Sequence, residues 1–114
     1  MNQKTLGEFE HIVLLALLRL ESNAYGAAIR QLLQAEIDRD VALGALYSTL
    51  ERMEKKSLVV SKLGESTAQR GGRPKRFFSV TAEGKTALKH AKRAMDSMWQ
   101  GVVLTVGGEI HEQY

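Results

Sequence analysis

Residues 40–81 read DVALGALYSTLERMEKKSLVVSKLGESTAQRGGRPKRFFSVT, and this stretch decides the fold. Leu43, Leu46, Leu50 and Met53 share one helical stripe, which predicts an amphipathic helix over 42–56 with that stripe buried. Its other face offers Ala45, Ser48, Thr49, Arg52, Lys55 and Lys56. Val59 and Val60 favour a strand over 58–63. A turn-rich loop follows over 64–72, and 73–81 returns as a second strand. Alternation puts Phe78 and Val80 on one face of that strand and Phe77 and Ser79 on the other. The order is therefore helix, strand, basic loop, strand.

Working outward, 6–20 is a helix that is apolar almost all round, with Phe9, Ile12, Val13, Leu14, Leu15, Leu17 and Leu18. Such a helix is buried on most sides. Ser22-Asn23 interrupts it, and either residue can cap a second helix. That helix carries the stripe Ala28, Ile29, Leu32, Leu33 and Ile37. After the second strand, Thr81 is a good N-cap for a last helix. There Leu88, Ala91, Met95, Met98 and Val102 recur at alternating steps of three and four, a seam suited to packing against another helix. Trp99 and Val103 widen the stripe. The expected division is a helix-turn-helix with a β-wing over 1–81, a dimerisation helix over 82–106 and a flexible tail over 107–114. The fold class is mainly α with a two-stranded β-wing.

Composition sets the outer limits. The chain has 114 residues, enough for one modest core, and small DNA-binding modules often bury further surface by dimerising. With 44% hydrophobic and 25% charged residues it reads as an ordinary soluble domain rather than a disordered one. It has no cysteine, which excludes disulfides, thiolate metal sites and a thiol nucleophile. The segment 1–10 is polar and the apolar run 12–18 is too short to span a bilayer, so a cytoplasmic location is expected.

The net charge of +3 hides a strong asymmetry. Residues 41–93 carry twelve Lys/Arg and four Asp/Glu, whereas 1–40 and 94–114 are both net acidic. Basic charge gathered in the middle third suggests a polyanionic partner. Alone it fits a solvated lysine-rich surface equally well; the flanking pattern decides. A helix with small residues near its start can approach a major groove closely, and a basic hairpin tip beside it can clamp phosphates or enter a minor groove. These are the parts of a winged helix-turn-helix.

Ala42, Gly44 and Ala45 are the small residues of that helix. Ser48 and Thr49 can bond to bases or phosphates. Gly44 costs helix stability, so it requires a reason: close approach to DNA, or close packing on the second helix. Tyr47 divides between the core and a phosphate contact. In the wing, 64–76, the run RGGRPKR places Arg70, Arg73, Lys75 and Arg76 within seven residues. Gly71 and Gly72 let the loop turn, and Pro74 stiffens the start of the return strand. Alternation separates Arg73 from Arg76, and Arg73, nearer the tip, is the stronger candidate contact. Its alternative is a basic loop with no role.

Catalysis is disfavoured. His11, His90 and His111 share no ligand spacing, Glu8 and Glu10 do not face each other on a helix, and no glycine-rich loop leads into a helix with a Lys-Ser/Thr pair. His11 reads as a core-edge residue. No metal and no cofactor are expected. Three classes remain: a dimeric DNA-binding regulator, a winged-helix protein-interaction module without operator binding, and an RNA binder. The last lacks an aromatic platform for single strands.

The stretches LGEFEHIVLLALL, AYGAAI, GALYSTLERMEKKSLV and RGGRPKRFFSVTAEG resemble the successive motifs of the PadR family of bacterial winged-helix regulators, over about residues 6–100. The resemblance implies a homodimer whose C-terminal helix crosses its partner, as in the compact subgroup with one dimerisation helix. It implies a palindromic operator and usually repression. It places Gly44, Tyr47 and Ser48 at the major groove and RGGRPKR at the wing. Some members take apolar or aromatic compounds against a tryptophan of the last helix, so Trp99 is a candidate effector contact or else interface packing. The chain departs from the pattern at three positions. Ala42 stands where Ser or Thr is common, which makes Asp40 a candidate cap. Ser48 stands where proline is common. Ser57 stands where glycine usually follows the lysine pair.

Overall fold

The computed structural model describes residues 5–64 and 74–107, and the backbone of 109–112. Three helices come first: α1 (Glu8–Leu20), α2 (Gly26–Ile37) and α3 (Leu43–Lys55). A hairpin of β1 (Val59–Leu63) and β2 (Arg76–Val80) follows, then α4 (Ala82–Trp99). A second hairpin, β3 (Val103–Val106) with β4 (Glu109–Glu112), ends the described chain. No helix among the described residues is long and apolar enough to cross a membrane.

The core forms where the helical stripes meet the hairpin. Val13, Leu14 and Leu17 of α1, Ile29 and Leu33 of α2, and Leu46, Leu50 and Met53 of α3 close over Leu58, Val59 and Phe78. The β1–β2 pairing is antiparallel, with Val59 opposite Val80 and Leu63 opposite Arg76. Tyr25, just before α2, adds an antiparallel bridge to Phe77, and the Phe78 amide donates to the Ala24 carbonyl at 2.9 Å. The α1–α2 connection is thereby locked to the outer side of the wing.

Helix ends follow local chemistry, in places not as expected. Thr81 caps α4 as its position predicts: its Oγ1 accepts from the Gly84 amide at 3.0 Å and donates to the Ser57 carbonyl at 2.6 Å. Neither Ser22 nor Asn23 caps α2; both lie in a short 3-10 turn, and Tyr25 takes the cap position without a side-chain bond. Asp40 does not cap α3 either. Ala42 holds that position, and Asp40 stands 3.8 Å from Arg30. At the other end of α3, Ser57 adopts φ 64°, the left-handed conformation that glycine takes most easily. The Leu58 amide then reaches back to the Met53 carbonyl at 2.9 Å, closing the helix with a six-residue cap.

The C-terminal region also differs from the sequence reading. The last helix stops at Trp99 rather than running to 106, because Gly101 turns the chain at φ 80°. Residues expected as a helix end and a flexible tail instead pair as strands, Val103 opposite Glu112 and Val106 opposite Glu109. In addition, α1 is not buried all round: Leu15 and Leu18 are exposed, as is Ile37 of α2.

Candidate nucleic-acid interface

The buried side of α3 is fixed by Leu46, Leu50 and Met53, each fully enclosed. That leaves Ala42, Gly44, Ala45 and Ser48 exposed along the opposite side. A Cβ built on Gly44 would meet nothing within 4 Å, so close packing on α2 does not explain this glycine. The tight approach of α2 to α3 occurs instead at Gly26, where a Cβ would lie 2.5 Å from the Tyr47 hydroxyl oxygen. Tyr47 is half-buried, its ring tilted against Phe78 at 6.2 Å between centroids. Its ring therefore belongs to the core edge, with α2 beginning directly beneath its hydroxyl.

Two positions trade places relative to the expected faces of α3. Thr49 is buried, at 5% exposure, and not on the polar face. Leu43, expected in the core, is 40% exposed. The Thr49 methyl lets it serve as a small core residue, and its Oγ1 accepts from Arg52 Nη2 at 3.5 Å. Arg52 also donates through Nε to Glu10 Oε2 at 3.3 Å, and Lys56 Nζ reaches the same oxygen at 3.1 Å. Glu10 was not among the expected site residues. Its other oxygen accepts from the Gly7 amide at 3.0 Å, the reach-back of a helix-start glutamate.

Burial pushes the Glu10 carboxyl up. The hydrogen bonds from Gly7, Lys56 and Arg52 and the charge of Lys56 outweigh it and hold the group below its ordinary 4.5. A lowered folded value means that the unfolded chain binds this proton more readily. The contribution is fully present above 4.5 and is lost as pH falls through the lower folded value. The difference in urea midpoint between wild type and Glu10→Gln should thus be largest near neutrality and narrow below 4.5. A gap that stays constant down to acid pH would show that the ionised carboxylate contributes nothing.

The wing joins α3 through a short polar relay. Ser61 of β1 donates to Glu54 of α3 at 2.9 Å and accepts from Arg76 of β2 at 3.0 Å. Arg76 is exposed yet anchored at the wing's base. Lys75 lies over the Tyr25 ring at 4.1 Å, and Tyr25 in turn meets Phe77 edge-on. The Gly64 amide bonds to the Lys75 carbonyl at 2.7 Å, closing the described part of the hairpin. Arg70 and Arg73 lie outside the described residues.

The seam of α4 divides. Leu88 is buried against the chain's own core, at the floor of the groove between α1 and α4. Ala91 and Trp99 are half-buried, whereas Met95, Met98 and Val102 are exposed. Between α1 and α4 runs a groove of about 520 Å³ walled by Leu15, Leu18, Met95 and Trp99, with His11 and several lysines at its margin. His11, half-buried there, is the core-edge residue that the sequence suggests.

A helix with a bare, small-residue outer face, continued directly into an anchored basic hairpin, defines a winged helix-turn-helix DNA-binding domain. The chain belongs to the PadR-like family of transcriptional regulators, whose family model matches residues 14–90. Among solved structures it is similar to a PadR-like transcription factor from bacteroid fragilis, with TM-score 0.67, 26% identity and 81% of this chain and 84% of that one covered. It is likewise similar to a PadR family transcription regulator from hypervirulent Clostridium difficile R20291, with TM-score 0.61, 27% identity and 81% and 92% covered. A third is a PadR family transcriptional regulator from Eggerthella lenta DSM 2243, with TM-score 0.64, 25% identity and 82% and 81% covered. Among curated proteins no relative matches this chain.

Proposed function

We propose that this DNA-binding regulator works in the cytoplasm as a homodimeric repressor on a palindromic operator. The observation that carries the reading is Gly44: a helix-weakening residue with open space around it, on the exposed face of α3. Close approach to a duplex gives that glycine a reason. In this reading Ala42, Gly44, Ala45 and Ser48 meet the major groove, and the Tyr47 hydroxyl lies at its edge. Lys75 and Arg76 support the wing's base, and Arg70 and Arg73 reach phosphates or the minor groove. Arg52 lies beside this face, engaged by Glu10 and Thr49. Met95, Met98 and Val102, with Ala91 and Trp99 beside them, form the contact between copies.

Selection from random duplexes at moderate salt, followed by sequencing, tests the reading. Recovery of a two-fold symmetric motif is expected, with half-site spacing set by the dimer. Retention without sequence enrichment would leave a non-specific DNA binder. No retention even at low salt would favour a protein-interaction module. Within this scheme Arg73→Ala should weaken binding to all duplexes and reduce the salt slope by about one. An unchanged slope would remove the wing tip from the mechanism.

The α1–α4 groove supports control by a small apolar or aromatic effector, with Trp99 as one wall. Trp99 fluorescence should then change on adding such a compound, with a parallel change in operator affinity. A dimer whose fluorescence ignores a broad aromatic panel would leave Trp99 to packing alone.

A further inference from the structure

Arg52 of α3 and Lys56, the C-cap residue just past its end, stand four residues apart, where two cations repel. Glu10 of α1 lies between them, its Oε2 accepting from both, at 3.3 Å and 3.1 Å. Burial of the three groups is unequal. The Glu10 side chain is 6% exposed, against 53% for Arg52 and 38% for Lys56. The carboxylate is thus a fixed internal charge, and the cations are drawn in to it from the surface. Arg52 is held at a second point by Thr49 Oγ1. Two of its five N–H donors, one on Nε and one on Nη2, are thus engaged by the protein's own groups.

A buried carboxylate is a poor way merely to join two helices, since apolar residues of similar size often do so at no loss. It does something that an apolar residue cannot: it sets a negative charge against the two cations at the edge of the reading face. Sequence-independent affinity grows with each cation delivered to a phosphate, because each one releases counterions. A guanidinium held to a carboxylate of its own chain adds less to that release.

We infer that Glu10 is a specificity-determining positioning residue, which holds Arg52 back against the protein so that α3 meets DNA through its small and neutral residues. The inference rests on the operator-reading function proposed above. Removing the charge from Glu10 frees Arg52 for any phosphate within reach, which raises affinity for all sequences alike and blurs the preference for the operator.

The test uses the intact chain at pH 7 with two duplexes, the selected operator and an unrelated sequence, over a series of salt concentrations. Folding of each variant is verified by circular dichroism. Glu10→Gln should steepen the slope of log affinity against log salt by about one. It should also bind the unrelated duplex several-fold more tightly and shrink the operator preference. Adding Arg52→Gln to that variant should cancel the steepening. Arg52→Gln alone should lower the slope by much less than the full unit expected of a phosphate contact, a readout that stands even if Glu10→Gln does not fold. A drop of about one for Arg52→Gln would show that Arg52 already holds a phosphate, and the inference falls. A folded Glu10→Gln with the wild-type slope would reduce Glu10 to a tie between helices and overturn it as well. A wild type without operator preference would instead sink the operator reading itself, and this inference with it.

Discussion

Gly84→Ala is expected to destabilise the protein by about 2–3 kcal/mol, near the upper end for overpacking by one methyl group. Gly84 lies in the first turn of α4, where a Cβ would fall 2.3 Å from the Leu58 carbonyl oxygen and 2.6 Å from Val80 Cγ1. The first neighbour is backbone and cannot swing aside as a side chain would. It is also occupied: the Leu58 carbonyl accepts from the Thr81 amide at 3.0 Å, and the adjacent Ser57 carbonyl accepts from Thr81 Oγ1. Moving α4 outward to make room breaks the junction that joins the end of α3, the start of β1 and the cap of α4. Alanine's higher helix propensity returns up to about 1 kcal/mol, so strain decides the sign. The urea midpoint should fall by roughly 1–2 M with the slope unchanged, at a fixed protein concentration. An unchanged or higher midpoint would show that α4 slides freely on the sheet. Gly44→Ala is the contrasting control. With nothing within 4 Å of its Cβ, it should leave the free protein equally or more stable and lower only the affinity for DNA.

The elements whose period depends on neighbouring residues were legible in the sequence. Leu46, Leu50 and Met53 mark the inner face of α3, alternation in β2 separates Phe78 from Ser79, and Thr81 announces α4. What local pattern misreads is a residue able to serve two environments. Thr49 looks polar but packs by its methyl group, and Leu43 looks apolar but lies beyond the edge of the stripe. The C-terminal region fails for a different reason. The seam continues through Met98 to Val102 in register, so periodicity alone carries the helix past Trp99. The better signal was the run Val102-Val103-Leu104-Thr105-Val106, β-branched at four of five positions and set between Gly101 and the pair Gly107-Gly108. Two glycines between short apolar runs favour a two-residue hairpin turn, and the pairing of Val106 with Glu109 leaves two residues between the strands. Glu10 was not legible at all. A glutamate in the first turn of a helix looks like an ordinary surface residue, and its partners Arg52 and Lys56 are 42 and 46 positions away. Only the folded chain brings them together.

Met98→Asp should split the proposed homodimer while leaving the fold of each chain intact. Met98 is 76% exposed in the single chain and Met95 is 58% exposed, and Leu15 and Leu18 of α1 continue the same apolar surface across the groove. Because Met98 is so exposed in the single chain, aspartate there removes little of the chain's own packing. In a dimer the same carboxylate would be enclosed between two apolar faces without a partner, at a cost of several kcal/mol. A cost of about 3–4 kcal/mol corresponds to a dissociation constant raised on the order of 10²–10³-fold. Light scattering should show the variant as a monomer at concentrations where the wild type is a dimer, with the two circular dichroism spectra superimposable. Operator affinity should fall steeply, because each half-site is then read by an independent chain, while the far weaker non-specific binding of one wing and one helix persists. A wild type that is monomeric, or a variant that remains dimeric, would place the contact between copies elsewhere. A variant that loses its helicity would mean that the α4 surface is needed for folding, and Met95→Asp, on the same seam one turn earlier, would then separate folding from association.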